Sequence, residues 1–156
     1  MSAHHGEAGE LWVIRHGETE WSRDGLHTSH TELELTAEGE EVARKLAERL
    51  EGVEFDLVLS SPRGRARRTA ELAGFTDLHL EEDLTEWDYG QYEGRTTADI
   101  RGEVPGWTVW THPSPAGESA EQVSRRLDRV ITKVRMHGGR VLVFSHGHAS
   151  RALAAR

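Results

Sequence analysis

The sequence predicts an α/β fold of three layers, α/β/α, around a mostly parallel central sheet. Three observations predict it. Short apolar runs rich in strand formers alternate with longer stretches of helical periodicity. The run from Arg140 to Phe144 is apolar through its middle, which suits a parallel strand covered on both faces. Three of the four expected strands end in polar clusters, where open α/β sheets bind their ligands.

Each element has its own local cause. Residues 1–9 are small, polar and without period. They read as a disordered tail in which His4 and His5 carry no role, which leaves 10–156 as a single domain. Leu11 to Ile14 reads as the first strand and stops at Arg15-His16-Gly17. Thr36 is a good N-cap, and Val42, Leu46 and Leu50 follow at helical spacing until Gly52. Phe55 to Leu59 reads as the second strand, ending at Ser60-Ser61. Pro62 opens a helix carrying Ala66, Ala70 and Ala73 on one face, and Leu78 to Leu80 is a weaker third strand.

The stretch from Glu86 to Glu118 is irregular and holds Gly90, Gly94, Pro105, Pro113 and Pro115. It reads as a long functional excursion with one short helix. Ser119 opens an amphipathic helix with Val123, Leu127, Val130, Ile131 and Val134 on one face, closed by Gly138-Gly139. Arg140 to Phe144 is the fourth strand, and Ala149 to Ala155 a last helix.

Composition narrows the function. With no cysteine among 156 residues, a disulfide scaffold, a zinc ribbon and a thiol nucleophile are excluded. No apolar run approaches the ~18 residues of a membrane span. Met1 to Glu10 lacks the basic and apolar regions of a secretory signal, so the expected compartment is the cytoplasm. A net charge of -8 argues against nucleic acid or an anionic membrane as partner. Arg63, Arg65, Arg67 and Arg68 nevertheless crowd one short stretch. They form either a solvated helix face or an anion site, and an anion site in an acidic chain suits a small phosphorylated metabolite.

The polar strand ends are Arg15-His16-Gly17-Glu18-Thr19, Ser60-Ser61-Pro62 and Ser145-His146-Gly147-His148. A parallel sheet gathers them at one mouth. Phosphoryl transfer without a metal needs fixed cations, a nucleophile and a proton donor. Arg15 and Arg65 can bind phosphate oxygens bidentately. A neutral His16 can attack if its other nitrogen donates to a carbonyl, and His146 can donate to the phosphate. Glu86, beside Trp87 and Tyr89, is the candidate acid for the leaving oxygen. An isolated His146-x-His148 pair is a weak metal signal, so no metal and no cofactor are expected.

These motifs resemble, in order and over nearly the whole chain, the histidine phosphatase superfamily of phosphoglycerate-mutase-like enzymes. Arg15 to Thr19 is similar to its signature, Ser60 to Ala70 to its second-arginine segment, Glu86 to Gly94 to its acid/base segment and Ser145 to His148 to its second-histidine segment. The resemblance implies a phosphorylated His16, a phosphate held by Arg15, Arg65 and His146, and Glu86 as proton donor and acceptor. The segment from Glu86 to Gly94, Thr96-Thr97, and Pro115 to Ser119 look most like the branch with acid phosphatases and sedoheptulose-bisphosphatase-type enzymes. His27-Thr28 matches that branch's substrate-contacting pair.

The substrate-binding set is then Arg15, Gly17, Glu18, Thr19, His27, Thr28, Arg65, Glu86, Trp87, Tyr89, Gly147 and His148. Two residues depart from the pattern: Ser22 stands where many mutases carry asparagine, and Arg63 stands where leucine is commoner. The family also continues beyond the second-histidine segment with a further strand. The C-terminal part therefore reads as shortened, and pairing through a sheet edge into a homodimer is expected. The expected activity is phosphomonoester hydrolysis. A mutase-type phosphotransferase and an impaired phosphate-binding module are the alternatives.

Overall fold

A computed structural model describes residues 9–156, so the expected tail lies outside the described residues except for Gly9. Four parallel strands form one sheet in the order β1-β4-β2-β3: β1 is Glu10–Arg15, β2 Leu57–Ser60, β3 His79–Leu80 and β4 Arg140–Ser145. The last strand in sequence thus lies between the first and the second. Its side chains alternate between two cores, which is why the run reads as continuously apolar. Val141 and Val143 enter one core, Leu142 and Phe144 the other, and all four are fully buried. Each such side chain contributes on the order of 1.5–3 kcal/mol through burial.

One layer consists of α5 (Ala120–His137) and α6 (Gly147–Ala154), with the excursion that precedes them. Ser119 caps α5 through a reciprocal capping box with Gln122, and the expected stripe Val123, Leu127, Val130 and Val134 is buried. The other layer consists of α2 (Ala37–Arg49) and α3 (Gly64–Leu72), packed on Leu142 and Phe144 through Leu46, Leu50, Ala70 and Ala73. The excursion contains α4 (Thr97–Glu103) and a single 3-10 turn at Gly90–Tyr92; another, at Glu82–Leu84, lies just before it.

Two local expectations need correction. A five-residue helix, α1 (Glu20–Asp24), follows the first polar cluster; Thr19 caps it in a capping box with Ser22. Five residues are too few to show a helical period, so only the cap could have signalled it. In α2 the buried residues are Gly39 and Ala43, whereas Val42 is 56% exposed. Gly39 is pressed against the backbone of Glu18, where a Cβ would collide with the carbonyl. That contact fixes the helix rotation and turns Val42 outward.

Candidate active site

Register brings the strand ends together. Arg15 of β1 pairs with Ser145 of β4, and Phe144 pairs with Ser60 of β2. The ladder continues one step past the strands, because His16 N–H donates to the Ser145 carbonyl and Ser61 N–H to the Phe144 carbonyl, both at 2.9 Å. His16, Ser61 and His146 therefore meet at the carboxyl end of the sheet.

His16 Nδ1 lies 2.7 Å from the Gly17 carbonyl. A carbonyl only accepts, so Nδ1 carries the proton and Nε2 keeps its lone pair. Burial lowers the His16 pKa to about 4, and the positive charges of Arg65 and Arg15 act in the same direction. The ring is neutral at pH 7 and aimed by its own backbone. Gly17 N–H in turn donates to Thr69 Oγ1 at 2.9 Å, and that hydroxyl donates to the Arg65 carbonyl at 2.7 Å. The loop after β1 is thereby tied to α3.

The His146 ring sits edge-on to His16, with centroids 5.1 Å apart. It is fully buried and its Nε2 is 2.8 Å from Ser61 Oγ, while Nδ1 has no partner among the described residues. Burial, with His16 and Arg65 nearby, depresses its pKa well below the ordinary histidine range. Arg65, 1% exposed, donates from its two terminal nitrogens to the Thr31 and Ser29 carbonyls, each at 2.9 Å. Among the described residues its Nε is also buried without a partner, as is Nε of Arg63. Three unsatisfied buried nitrogens, on His146, Arg65 and Arg63, suit an anion that accepts from them. Arg63 is otherwise occupied, with Nη1 3.3 Å from Glu32 and Nη2 3.0 Å from His30 Nδ1. Arg15 lies against Gly147, where a Cβ would come within 3.3 Å of its guanidinium carbon.

Glu86 is 6% exposed and stands over the first turn of α6. Its Oε1 accepts from Trp87 N–H and Ala149 N–H at 2.8 Å, and Oε2 from His148 N–H at 3.1 Å. The carboxyl supplies the cap that the N-cap residue His146 does not make. Burial raises its pKa, and the three N–H groups with Arg15 only partly oppose that. The carboxyl is thus set up to hold its proton to higher pH than an ordinary glutamate does.

A cavity of about 200 Å³ joins Arg15, His16 and Glu86 to His27, Thr28, Tyr89, Gly147 and His148. Tyr89 Oη is 2.5 Å from His148 Nδ1, and His27 Nδ1 donates to the Arg95 carbonyl at 2.6 Å. Burial lowers the His148 pKa to about 4. Ser22, Thr97 and Arg151 also line the cavity. The sequence motifs do not single out Arg151, although its place one helical turn after His148 is a usable signal.

Five expected substrate contacts are not in the lining of this cavity: Arg65, whose side chain is held by the Thr31 and Ser29 carbonyls, and four others. Trp87 is 2% exposed, packs on Trp110 and donates from Nε1 to the Glu118 carbonyl, so its aromatic ring belongs to the core. Thr19 is fully buried as the cap of α1. Glu18 accepts from Thr36 Oγ1 at 2.9 Å and thereby braces the start of α2. Gly17 and Glu18 line a second hollow, with Gly39 and Val42, that shares Arg15 and His16 with the cavity. Among the described residues no group of three or more His, Asp or Glu side chains is arranged to hold a metal ion, and no helix is long and apolar enough to cross a membrane.

A parallel α/β/α sandwich that gathers two histidines, arginines and a buried carboxyl at its strand ends defines a class of protein that handles phosphate esters. The chain belongs to the histidine phosphatase superfamily (branch 1), whose pattern matches residues 11–156. It is 47% identical over 150 residues to an acid phosphatase of Mycobacterium tuberculosis, covering 94% of this chain and 74% of that one. It is 36% identical over 177 residues to a sedoheptulose 1,7-bisphosphatase of Saccharomyces cerevisiae, covering 92% of this chain and 65% of the relative. The solved structure of a Mycobacterium tuberculosis open reading frame superposes with a TM-score of 0.86 at 47% identity, over 92% of this chain and 76% of that one.

Proposed function

We propose that this chain hydrolyses small phosphomonoesters, through a phosphohistidine on His16 and without a metal. The observation that carries the reading is the His16 ring itself. Its Nδ1 proton is committed to the Gly17 carbonyl and its Nε2 lone pair is free, in the cavity shared with Arg15 and a buried Glu86 carboxyl.

In the first step His16 Nε2 attacks phosphorus and the P–O ester bond breaks. Its electron pair leaves on the ester oxygen, which takes the Glu86 proton. Arg15, Arg65 and His146 hold the three phosphoryl oxygens while charge shifts between the attacking and leaving atoms. In the second step water attacks phosphorus and gives its proton to the Glu86 carboxylate. The N–P bond breaks and inorganic phosphate leaves. The alcohol portion of the ester lies toward His27, Thr28, Tyr89, Thr97, His148 and Arg151.

Two observations favour hydrolysis over mutase-type transfer. The excursion carries only two basic residues besides His112, Arg95 and Arg101. Both are already engaged: Arg95 with Glu103, and Arg101 with the Trp107 carbonyl at 2.9 Å. Neither is free to close over a retained intermediate. The finer assignment to the acid-phosphatase type rests on a depressed His16 and a raised Glu86, which together favour turnover on the acid side of neutrality. Hydrolysis of p-nitrophenyl phosphate by the wild type and by His16→Ala tests the reading. Turnover by the wild type alone supports it, and equal turnover by both overturns it.

A further inference from the structure

The segment that carries Glu86 is neither strand nor α-helix, yet it must hold the carboxyl against α6. We propose that Arg126 of α5, with Glu118, is the positioning pair for the Glu86 carboxyl and so controls proton delivery to the leaving group. This rests on the proposed phosphatase reading and goes one layer deeper into the same site.

Arg126 is a charged residue on a buried helix face. It is 8% exposed, beside Val123, Leu127 and Val130. All five of its N–H donors are used: Nε and one Nη2 hydrogen on the two Glu118 carboxylate oxygens at 2.9 and 3.0 Å, Nη1 on the carbonyls of Asp83 and Thr85 at 2.9 and 2.7 Å, and the second Nη2 hydrogen on the Glu86 carbonyl at 3.1 Å. Three of the five acceptors are therefore backbone carbonyls of the turn that ends at Glu86. A guanidinium that is fully satisfied in fixed directions acts as a template for the chain around it.

Glu118 completes the clamp from the other side. Its Oε1 accepts from Asp88 N–H at 2.9 Å, its own N–H donates to the Asp88 carbonyl at 2.9 Å, and its carbonyl accepts from Trp87 Nε1 at 2.9 Å. Residues 86 to 88 are thus held from both ends by one ion pair. Neither partner lines the cavity or touches the reacting atoms. Their contact with the site runs through the position of Glu86; beyond that, the Arg126 charge adds only to the depression of the His146 pKa, whose first cause is burial. A pair with one buried and one partly exposed partner gives little net stability against an apolar replacement, so its use is in fixing geometry.

The test compares Arg126→Met, Arg126→Lys and Glu118→Gln with the wild type and Glu86→Gln, on an alkyl phosphate and on p-nitrophenyl phosphate, across pH. An alkoxide needs the proton in the transition state and p-nitrophenolate does not. The proposal predicts that Arg126→Met loses at least about tenfold more rate on the alkyl ester than on the aryl ester. Its alkaline limb should move to lower pH as water reaches the loosened carboxyl, and Arg126→Lys should recover part of both. Glu118→Gln, which keeps the shape and removes the charge, should show the same substrate selectivity more weakly; it serves if Arg126→Met does not fold. Equal losses on both esters with an unmoved alkaline limb would make the pair merely structural and overturn the proposal. If Glu86→Gln itself shows no leaving-group dependence, the phosphatase mechanism fails first. Selective loss in Glu86→Gln with none in the clamp variants defeats the positioning role only.

Discussion

The two halves of the cavity are built by different means. His16, His146 and Ser61 are placed by the hydrogen-bond ladder of a parallel sheet, which specifies their spacing before any side chain acts. Glu86 and Tyr89 sit on irregular backbone, held by side-chain clamps from α5 and by the N–H groups of α6. The phosphate half is therefore rigid by topology. The leaving-group half is rigid only while a few polar contacts persist, and it is where substitutions outside the cavity should tell most.

The largest effect tests the rigid half. His16→Ala should lower kcat by about 10⁴-fold or more, as removal of a nucleophile does elsewhere, with the fold intact by circular dichroism. Arg65→Ala should follow, at about 10²–10³-fold in kcat/KM on any phosphate ester. Arg63→Ala should cost less, since its side chain is 24% exposed and its charge is paired with Glu32, whereas Arg65 is 1% exposed and its terminal nitrogens meet only neutral carbonyls. The reverse order would move the second phosphate arginine to position 63. Glu86→Gln, from the clamped half, should lose about 10²–10⁴-fold on alkyl esters and far less on aryl esters. A loss independent of leaving group would remove the contrast between the halves.

The smallest effect is on stability. His16 and His148 have folded pKa values near 4, below the unfolded 6.5. Both are neutral in the fold, so stability is full above about pH 6.5 and falls as pH drops from there toward 4. Glu86 acts in the opposite sense, because its folded pKa is raised: its contribution favours the fold at low pH and is lost as pH rises. His146, buried and depressed further still, acts in the same sense, so three histidines stand against one carboxyl; Tm should be lower at about pH 5 than at about pH 7, and the gap should narrow in His148→Gln. A Tm that rises on acidification would show that Glu86 outweighs them.

The same division explains what the sequence revealed. The strand-end clusters are contiguous in sequence, and parallel pairing must bring them together, so His16, His146 and Arg15 were legible from residue order. The stripe of α5 was legible too, but an apolar period gives no sign that Arg126 on the same face is buried in a web of carbonyls. At Trp87 a neighbour in sequence is not a neighbour in space: its N–H meets Glu86 while its ring turns into the core. Val42 faces outward because the rotation of α2 is set by a glycine contact rather than by hydrophobic spacing.

The central claim is that His16 Nε2 takes the phosphoryl group. Its most direct measurement is rapid quenching of the wild type during turnover of a labelled phosphomonoester, followed by mapping of the modified peptide. The account predicts an acid-labile, base-stable phosphate on His16 that forms before inorganic phosphate appears and is missing in His16→Ala. Label on another residue, or full turnover with no phosphorylated protein at any time, would contradict it.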